Sequence, residues 1–333
     1  MSLTIHGRFV LNYSLNFISA ILLIYVSKWF FLQYPISSLT LTIINCFFSG
    51  FFASIILQFL SKISIKNIQT STNRFKSLFH LFLISISFSA FITFSNLSLQ
   101  YNTIGTYQLI KLQVPPTLMI IEWIQLQLGL NSSILTKEKF SRDYSFSVLL
   151  TFGIIVLGTL VNTYSDLYFH PLGVTYACMS VICNALYQTL VQNDKASSIY
   201  ERTRFLQNQT ITSAFILLPC WLFIDSSFGF NWSVLFQWNI IILIVLCGLL
   251  AFIVNSSVIW CIKDDAAIGY NMVGQLKTLF IVFVGSTLFD EPLTIKQFIS
   301  ILFTTIGCVI YVHITYRTKE HQKHQQELLV NNI

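Results

Sequence analysis

From Phe9 to Tyr316 the chain alternates apolar stretches of bilayer length with short charged or turn-rich breaks. The stretches fall near 9–31, 36–60, 77–98, 103–127, 144–164, 171–191, 205–224, 234–261, 267–289 and 294–316. A helix needs about 20 apolar residues to cross a hydrocarbon core about 30 Å thick, so each stretch can span once. Two junctions, Gln100 to Thr103 and Ser165 to Pro171, are too short to register as hydropathy minima. Merging the stretches on either side would require a span of about 45 residues, which a bilayer does not accommodate. Charged residues make up 10% of the chain, against about 25% in soluble domains. Too few charges remain to cover a soluble globule of 333 residues, which excludes a soluble enzyme. The 54% hydrophobic content excludes disorder. The reading is an all-α integral membrane protein of ten transmembrane helices.

Basic residues set the orientation of these spans, because cytosolic loops retain an excess of Lys and Arg. With the N-terminus in the cytosol, the cytosolic segments hold 15 of the 19 basic residues: Arg8, Lys62, Lys66, Arg74, Lys76, Lys137, Lys139, Arg142, Lys195, Arg202, Arg204, Lys263, Arg317, Lys319 and Lys323. The opposite side has Lys28 and Lys296, both near helix ends, and the acids Asp166, Asp225, Asp290 and Glu291. Both termini are therefore expected in the cytosol. The first span, too long for a cleaved signal peptide and lacking a small-residue cleavage site, is expected to be retained as an anchor. No Arg- and Ser-rich transit segment precedes it. The polar tail, 317–333, reads as a solvated helix end.

Ten spans divide into five plus five. An odd number per half forces the second half into the membrane upside down relative to the first, the inverted-repeat arrangement of many transporters. The expected halves are 1–167 and 168–316. Weak internal similarity agrees: Asn96, Leu97, Ser98, Ile104, Gly105 and Lys111 are echoed by Asn255, Ser256, Ser257, Ile268, Gly269 and Lys277.

Lys111 and Lys277 lie inside spans four and nine. An intramembrane lysine costs about 2.5–3.5 kcal/mol on insertion scales, so two at matching places demand a reason. At helical spacing Tyr107, Gln108, Lys111 and Pro115 share a face, as do Tyr270, Gly274 and Lys277, with Asn271, Gln275 and Thr278 beside them. Each stripe combines a cation, an amide and a phenol. That chemistry suits a ligand with phosphate oxygens, hydroxyls and a flat ring. An interhelical polar network, with Glu122 as partner of Lys111, is the competing reading. Pro115 and Pro116 remove two helix donors, so span four is expected to kink or break just after the lysine.

Other chemistry finds no constellation. The six His show no ligand spacing, so no metal is expected. There is no Gly-rich phosphate loop and hence no sign of a cofactor. The seven Cys sit unpaired in apolar runs and read as small packing residues. Among the Asn-x-Ser/Thr sites only Asn231 falls clearly in a lumenal loop, and the net charge of +6 does not point to nucleic acid.

The segments Asn96 to Lys111 (NLSLQYNTIGTYQLIK), Asn162 to Gly173 (NTYSDLYFHPLG), Leu186 to Gln188 (LYQ) and Tyr270 to Thr278 (YNMVGQLKT) resemble the nucleotide-sugar/triose-phosphate translocator family of the drug/metabolite transporter superfamily. The resemblance is strongest to the E branch of solute carrier family 35 and to plant UDP-rhamnose/UDP-galactose transporters. It runs from Lys28 and Trp29 to Gln297, Gly307 and Tyr311. It implies two inverted five-helix halves in the Golgi or endoplasmic reticulum membrane, exchanging a cytosolic nucleotide sugar for a lumenal nucleoside monophosphate, with a homodimer left open. Its binding lysines fall on Lys111 and Lys277. Tyr107, Gln108, Tyr187, Gln188, Tyr270 and Asn271 are then candidates for base and sugar contacts, with Gly274 and Thr278 on the same stripe. Triose-phosphate members carry Arg after the second lysine; Thr278 here matches the subgroup that transports UDP-sugars. Gln275 and Leu112 depart from the His and Ala of close relatives. A phosphorylated C3 or pentose translocator and a transport-dead scaffold are the alternatives, and a membrane enzyme is not expected.

Overall fold

The computed structural model describes residues 5–34, 37–63, 74–128, 170–194, 198–224 and 237–289, with scattered single residues or short runs between 150 and 158 and between 295 and 310. Predicted spans five and ten, the tail, Asn231 and Lys296 lie largely or wholly outside the described residues. The helices are α1 (Ile5–Gln33), α2 (Ser38–Ile63), α3 (Arg74–Tyr101), α4 (Ile104–Lys111), α5 (Val114–Gln127), α6 (Pro171–Asn193), α7 (Ile199–Ile224) and α8 (Trp238–Leu288). Among the described residues, five segments are long and apolar enough to cross a membrane: Val10–Gln33, Ser38–Ser61, Leu78–Tyr101, Pro171–Asn193 and Trp238–Lys263.

Local chemistry fixes the helix ends. Thr103 caps α4, its hydroxyl accepting from Thr106 N at 3.2 Å, which separates α3 from α4 at the junction that hydropathy blurs. His170 caps α6 through Nδ1, accepting from Gly173 N at 3.3 Å, and Pro171 opens the first turn. Helix α7 begins six residues before the predicted 205 because Ser198 and Glu201 form a reciprocal capping box, each backbone N–H donating to the other's side chain at 3.1 Å.

Span four does break after its lysine. The helix gives way to a tight turn at Leu112–Gln113, where Leu112 N bonds Leu109 O at 3.1 Å and Gln113 N bonds Ile110 O at 3.0 Å. Pro115 and Pro116 then sit in the first turn of α5, where a missing N–H costs nothing.

The predicted break between spans eight and nine appears differently, because helical structure is unbroken across all 51 residues of α8. On a straight helix Ser257 and Lys277 would stand about 30 Å apart. Both nevertheless bond one side chain: Asn16 Nδ2 donates to Ser257 Oγ at 3.0 Å, and Lys277 Nζ donates to Asn16 Oδ1 at 2.9 Å. The element therefore bends sharply between these positions, and both arms reach the same side chain of α1. The outer arm packs Ile240 against Phe30, while on the inner arm Ile281 O accepts from Tyr25 Oη at 2.9 Å.

The bundle is apolar outside and polar within, the pattern of a protein solvated by lipid. Phe47, Phe51, Phe59 and Phe215 are exposed, whereas Asn16, Lys28, Asn45, Gln108 and Gln188 are buried. Interfaces use small residues and hydroxyls, which let helices approach closely and bond across the gap. Ser95 and Ser180 join α3 to α6 at 2.9 Å, and Ser213 donates to Ser85 O at 3.1 Å. A Cβ at Gly248 would run into the ring of Phe48. Cys46, Cys247 and Cys261 are buried as packing residues, but Cys178 and Cys220 lie exposed on the outer surface.

Two basic residues used to orient the chain have inward roles. Lys28 is only 6% exposed, and its ammonium donates to Leu99 O at 3.2 Å and Asn102 O at 2.7 Å, capping the end of α3. Lys263 pairs with Asp194 at the end of α6, Nζ to Oδ1 3.3 Å, with His80 Nδ1 3.9 Å from the same carboxylate.

Candidate functional site

A cavity of about 200 Å³ lies at the centre of the described bundle, walled by α1, α2, α3, α4, α5, α6 and α8. All ten residues selected from the sequence line it: Tyr107, Gln108 and Lys111 from α4, Tyr187 and Gln188 from α6, and Tyr270, Asn271, Gly274, Lys277 and Thr278 from α8. The side chain of Gln275 lies outside the described residues.

The two lysines meet the cavity differently. Lys111 ends α4, whose last carbonyls carry the negative end of the helix dipole and favour a cation there. Pro115 has no N–H to return to the carbonyl of Lys111, so that carbonyl lacks its usual helical donor. The ammonium lies 4.6 Å from the Tyr107 ring centre and 5.7 Å from that of Phe91. Among the described residues it forms no ion pair, with Glu122 or any other acid. Lys277 is hydrogen-bonded to Asn16 and lies 5.8 Å from the Tyr270 ring centre.

Asn16 presents its carbonyl to Lys277 for a reason that can be followed bond by bond. Ser257 Oγ donates to Val254 O at 2.8 Å, so its hydroxyl proton is committed and its oxygen accepts. Asn16 must turn its NH2 to Ser257, and its oxygen is left for the lysine.

The remaining residues divide between wall and surface. Tyr187 stacks on Phe91, ring centres 6.2 Å apart and 14° from parallel, and its hydroxyl is taken by Gln209 Nε2 at 3.2 Å, away from the cavity. It offers its ring to the cavity and no free phenol. Gln188 donates to Asn184 Oδ1 at 3.0 Å and accepts from Asn271 Nδ2, tying α6 to α8. Thr278 donates to its own helix at Gly274 O, 3.3 Å, and Tyr107 Oη donates to Ser95 Oγ at 3.4 Å. A Cβ at Gly274 would meet nothing within 4 Å, so this backbone faces open cavity.

Sequence reasoning missed Asn16, Asn45, Asn184, Phe88 and Phe91. A lone Asn or Phe in an apolar helix carries no mark of its neighbours. The 3.6-residue spacing Thr42, Asn45, Ser49 on α2 is the one signal that was available.

No protein-family model matches the chain. The chain is distantly homologous to plant nucleotide-sugar transporters. It is 26% identical over 243 residues to UDP-rhamnose/UDP-galactose transporter 1 of Arabidopsis thaliana, covering 72% of this chain and 66% of that one. It is 26% identical over 222 residues to UDP-xylose transporter 3 of the same plant, covering 65% and 57%, and 23% identical over 253 residues to the GDP-mannose transporter GONST5, covering 73% and 67%. The match thus spans about two thirds or less of the length of the first of these relatives. A solved crystal structure, 12% identical, superposes with a TM-score of 0.59 over 93% of this chain and 98% of its own, a likeness of fold alone.

Proposed function

We propose that the protein carries UDP-sugars across a secretory-pathway membrane, most simply that of the Golgi, exchanging each cytosolic UDP-sugar for lumenal UMP by alternating access. The ten-span architecture of two inverted halves, 1–167 and 168–316, is part of this reading. So is the assignment of the ten cavity residues to ligand contact. The single observation that carries it is that Lys111 and Lys277, far apart in sequence, line one central cavity. The transported substrates in the relatives' names are UDP- and GDP-linked sugars, and a diphosphate is the group that two converging ammonium ions match.

Charge economy explains why exchange is favoured over uniport. A cavity holding two cations closes at a cost, because neither ammonium can be dehydrated without a partner. A bound diphosphate or phosphate monoester offsets that cost, so the loaded carrier reorients and the unloaded one does not. The aromatic wall of Phe91 and Tyr187 offers stacking to a base, and the amides of Gln188 and Asn271 brace the opposite side.

The test is uptake of labelled UDP-sugar into proteoliposomes preloaded with UMP. Wild-type protein is expected to exchange, and Lys277→Ala to lose uptake. Uptake by Lys277→Ala at the wild-type rate removes the site assignment, and exchange that requires inorganic phosphate in place of UMP replaces the nucleotide reading with a sugar-phosphate one.

A further inference from the structure

Helix α2 turns a polar stripe, Thr42, Asn45 and Ser49, toward the interior at helical spacing. The two outer members are occupied by the paired asparagines of the sequence repeat. Asn96 Nδ2 donates to Thr42 Oγ1 at 2.7 Å, and Asn255 Nδ2 donates to Ser49 Oγ at 3.4 Å. The middle member lines the central cavity, is 8% exposed, and its Oδ1 has no hydrogen-bond partner among the described residues. Gln108, 3% exposed in the same cavity, has an equally unpartnered Nε2.

A buried polar atom without a partner is destabilising and rare in a folded protein. Here one amide offers an acceptor and the other a donor, both in the wall of one cavity. The Asn45 acceptor is not matched to the diphosphate that the lysines serve, because phosphate oxygens are themselves acceptors. A hydroxyl both donates and accepts, and a polyol supplies several.

Building on the nucleotide-sugar reading, we infer that Asn45 is a specificity-determining residue, accepting a hydrogen bond from a hydroxyl of the transported sugar, with Gln108 donating to the same sugar. The flanking Asn96 and Asn255 contacts hold α2 so that Asn45 keeps its height and direction in the cavity. A site that hydrogen-bonds a hydroxyl rejects the analogue lacking it, because its own buried groups are then left unpaired.

The experiment measures exchange into UMP-preloaded proteoliposomes with UDP-galactose, with its singly deoxygenated analogues, and with UMP itself. For wild-type protein, one deoxy analogue should show kcat/KM about tenfold below that of UDP-galactose. Asn45→Leu should lose about tenfold on UDP-galactose, nothing further on that analogue, and leave UMP/UMP exchange within about twofold of wild type. Asn45→Ala is scored by the same criteria should the leucine variant fail to reach the membrane. Unchanged UDP-galactose exchange in either variant overturns the inference, as does a parallel fall in UMP/UMP exchange, which a packing defect or a contact to the nucleotide would produce. Wild-type protein that exchanges no nucleotide overturns the transporter reading itself, and the wild-type arm separates that outcome from a failure at Asn45 alone.

Discussion

Lys111 and Lys277 face the same cavity, yet they are held by opposite means. Lys111 rests against the faces of Tyr107 and Phe91 at the end of a short helix. Lys277 projects from the middle of a long helical arm and is gripped by the Asn16 carbonyl. Aromatic faces stabilise a cation without fixing its direction, whereas a hydrogen bond fixes both direction and distance. One lysine is thus suited to follow an anion and the other to locate it.

The largest effect that tests this contrast is loss of either charge. Lys111→Ala and Lys277→Ala should each reduce UDP-sugar exchange by at least about 100-fold, the scale of a truncated charged hydrogen bond. Retention of activity within threefold in one variant would leave the anion to the other lysine alone. The contrast sharpens with arginine, which stacks on aromatic faces but is not a compact point charge. Lys277→Arg should cost about 30-fold in kcat/KM and Lys111→Arg no more than about threefold; equal losses would erase the distinction. Asn16→Asp places a carboxylate against Lys277 and cancels its charge, so KM for the nucleotide sugar should rise about tenfold. A KM unchanged by this variant would show that Lys277 does not meet the ligand. The smallest effect belongs to Tyr107→Leu, which removes one aromatic face and should weaken apparent affinity a few-fold, while Tyr107→Phe keeps the ring and should be near wild type.

Those two lysines were legible in the sequence because a cation inside an apolar stretch is expensive wherever the chain goes, so its presence alone carries information. Their helical neighbours followed from 3.6-residue spacing, and the break beside Lys111 from two prolines, although it falls at Leu112–Gln113, ahead of the prolines that cause it. What stayed hidden depends on tertiary neighbours. Asn16 and Asn45 look alike in sequence, and only packing makes one a clamp and the other an unpartnered acceptor. Lys28, read as a lysine near a helix end on the side opposite the cytosol, is drawn inward because the end of α3 comes to lie beside it. The bend within α8 could not be placed by hydropathy as a helix end, since helical residues run up to it from both sides with no loop between them.

That inward turn of Lys28 bears on how the protein is made. The carbonyl that accepts its shorter bond belongs to Asn102, 74 residues further along the chain. Until the ribosome has delivered the end of α3, that acceptor does not exist, and the Lys28 ammonium can be met only by water, which its long stem reaches from the membrane interface. Helix α1 is made before the group that anchors its buried cation, so Lys28→Leu should relieve α1 of that dependence on α3 while leaving the carbonyls of Leu99 and Asn102 without this donor.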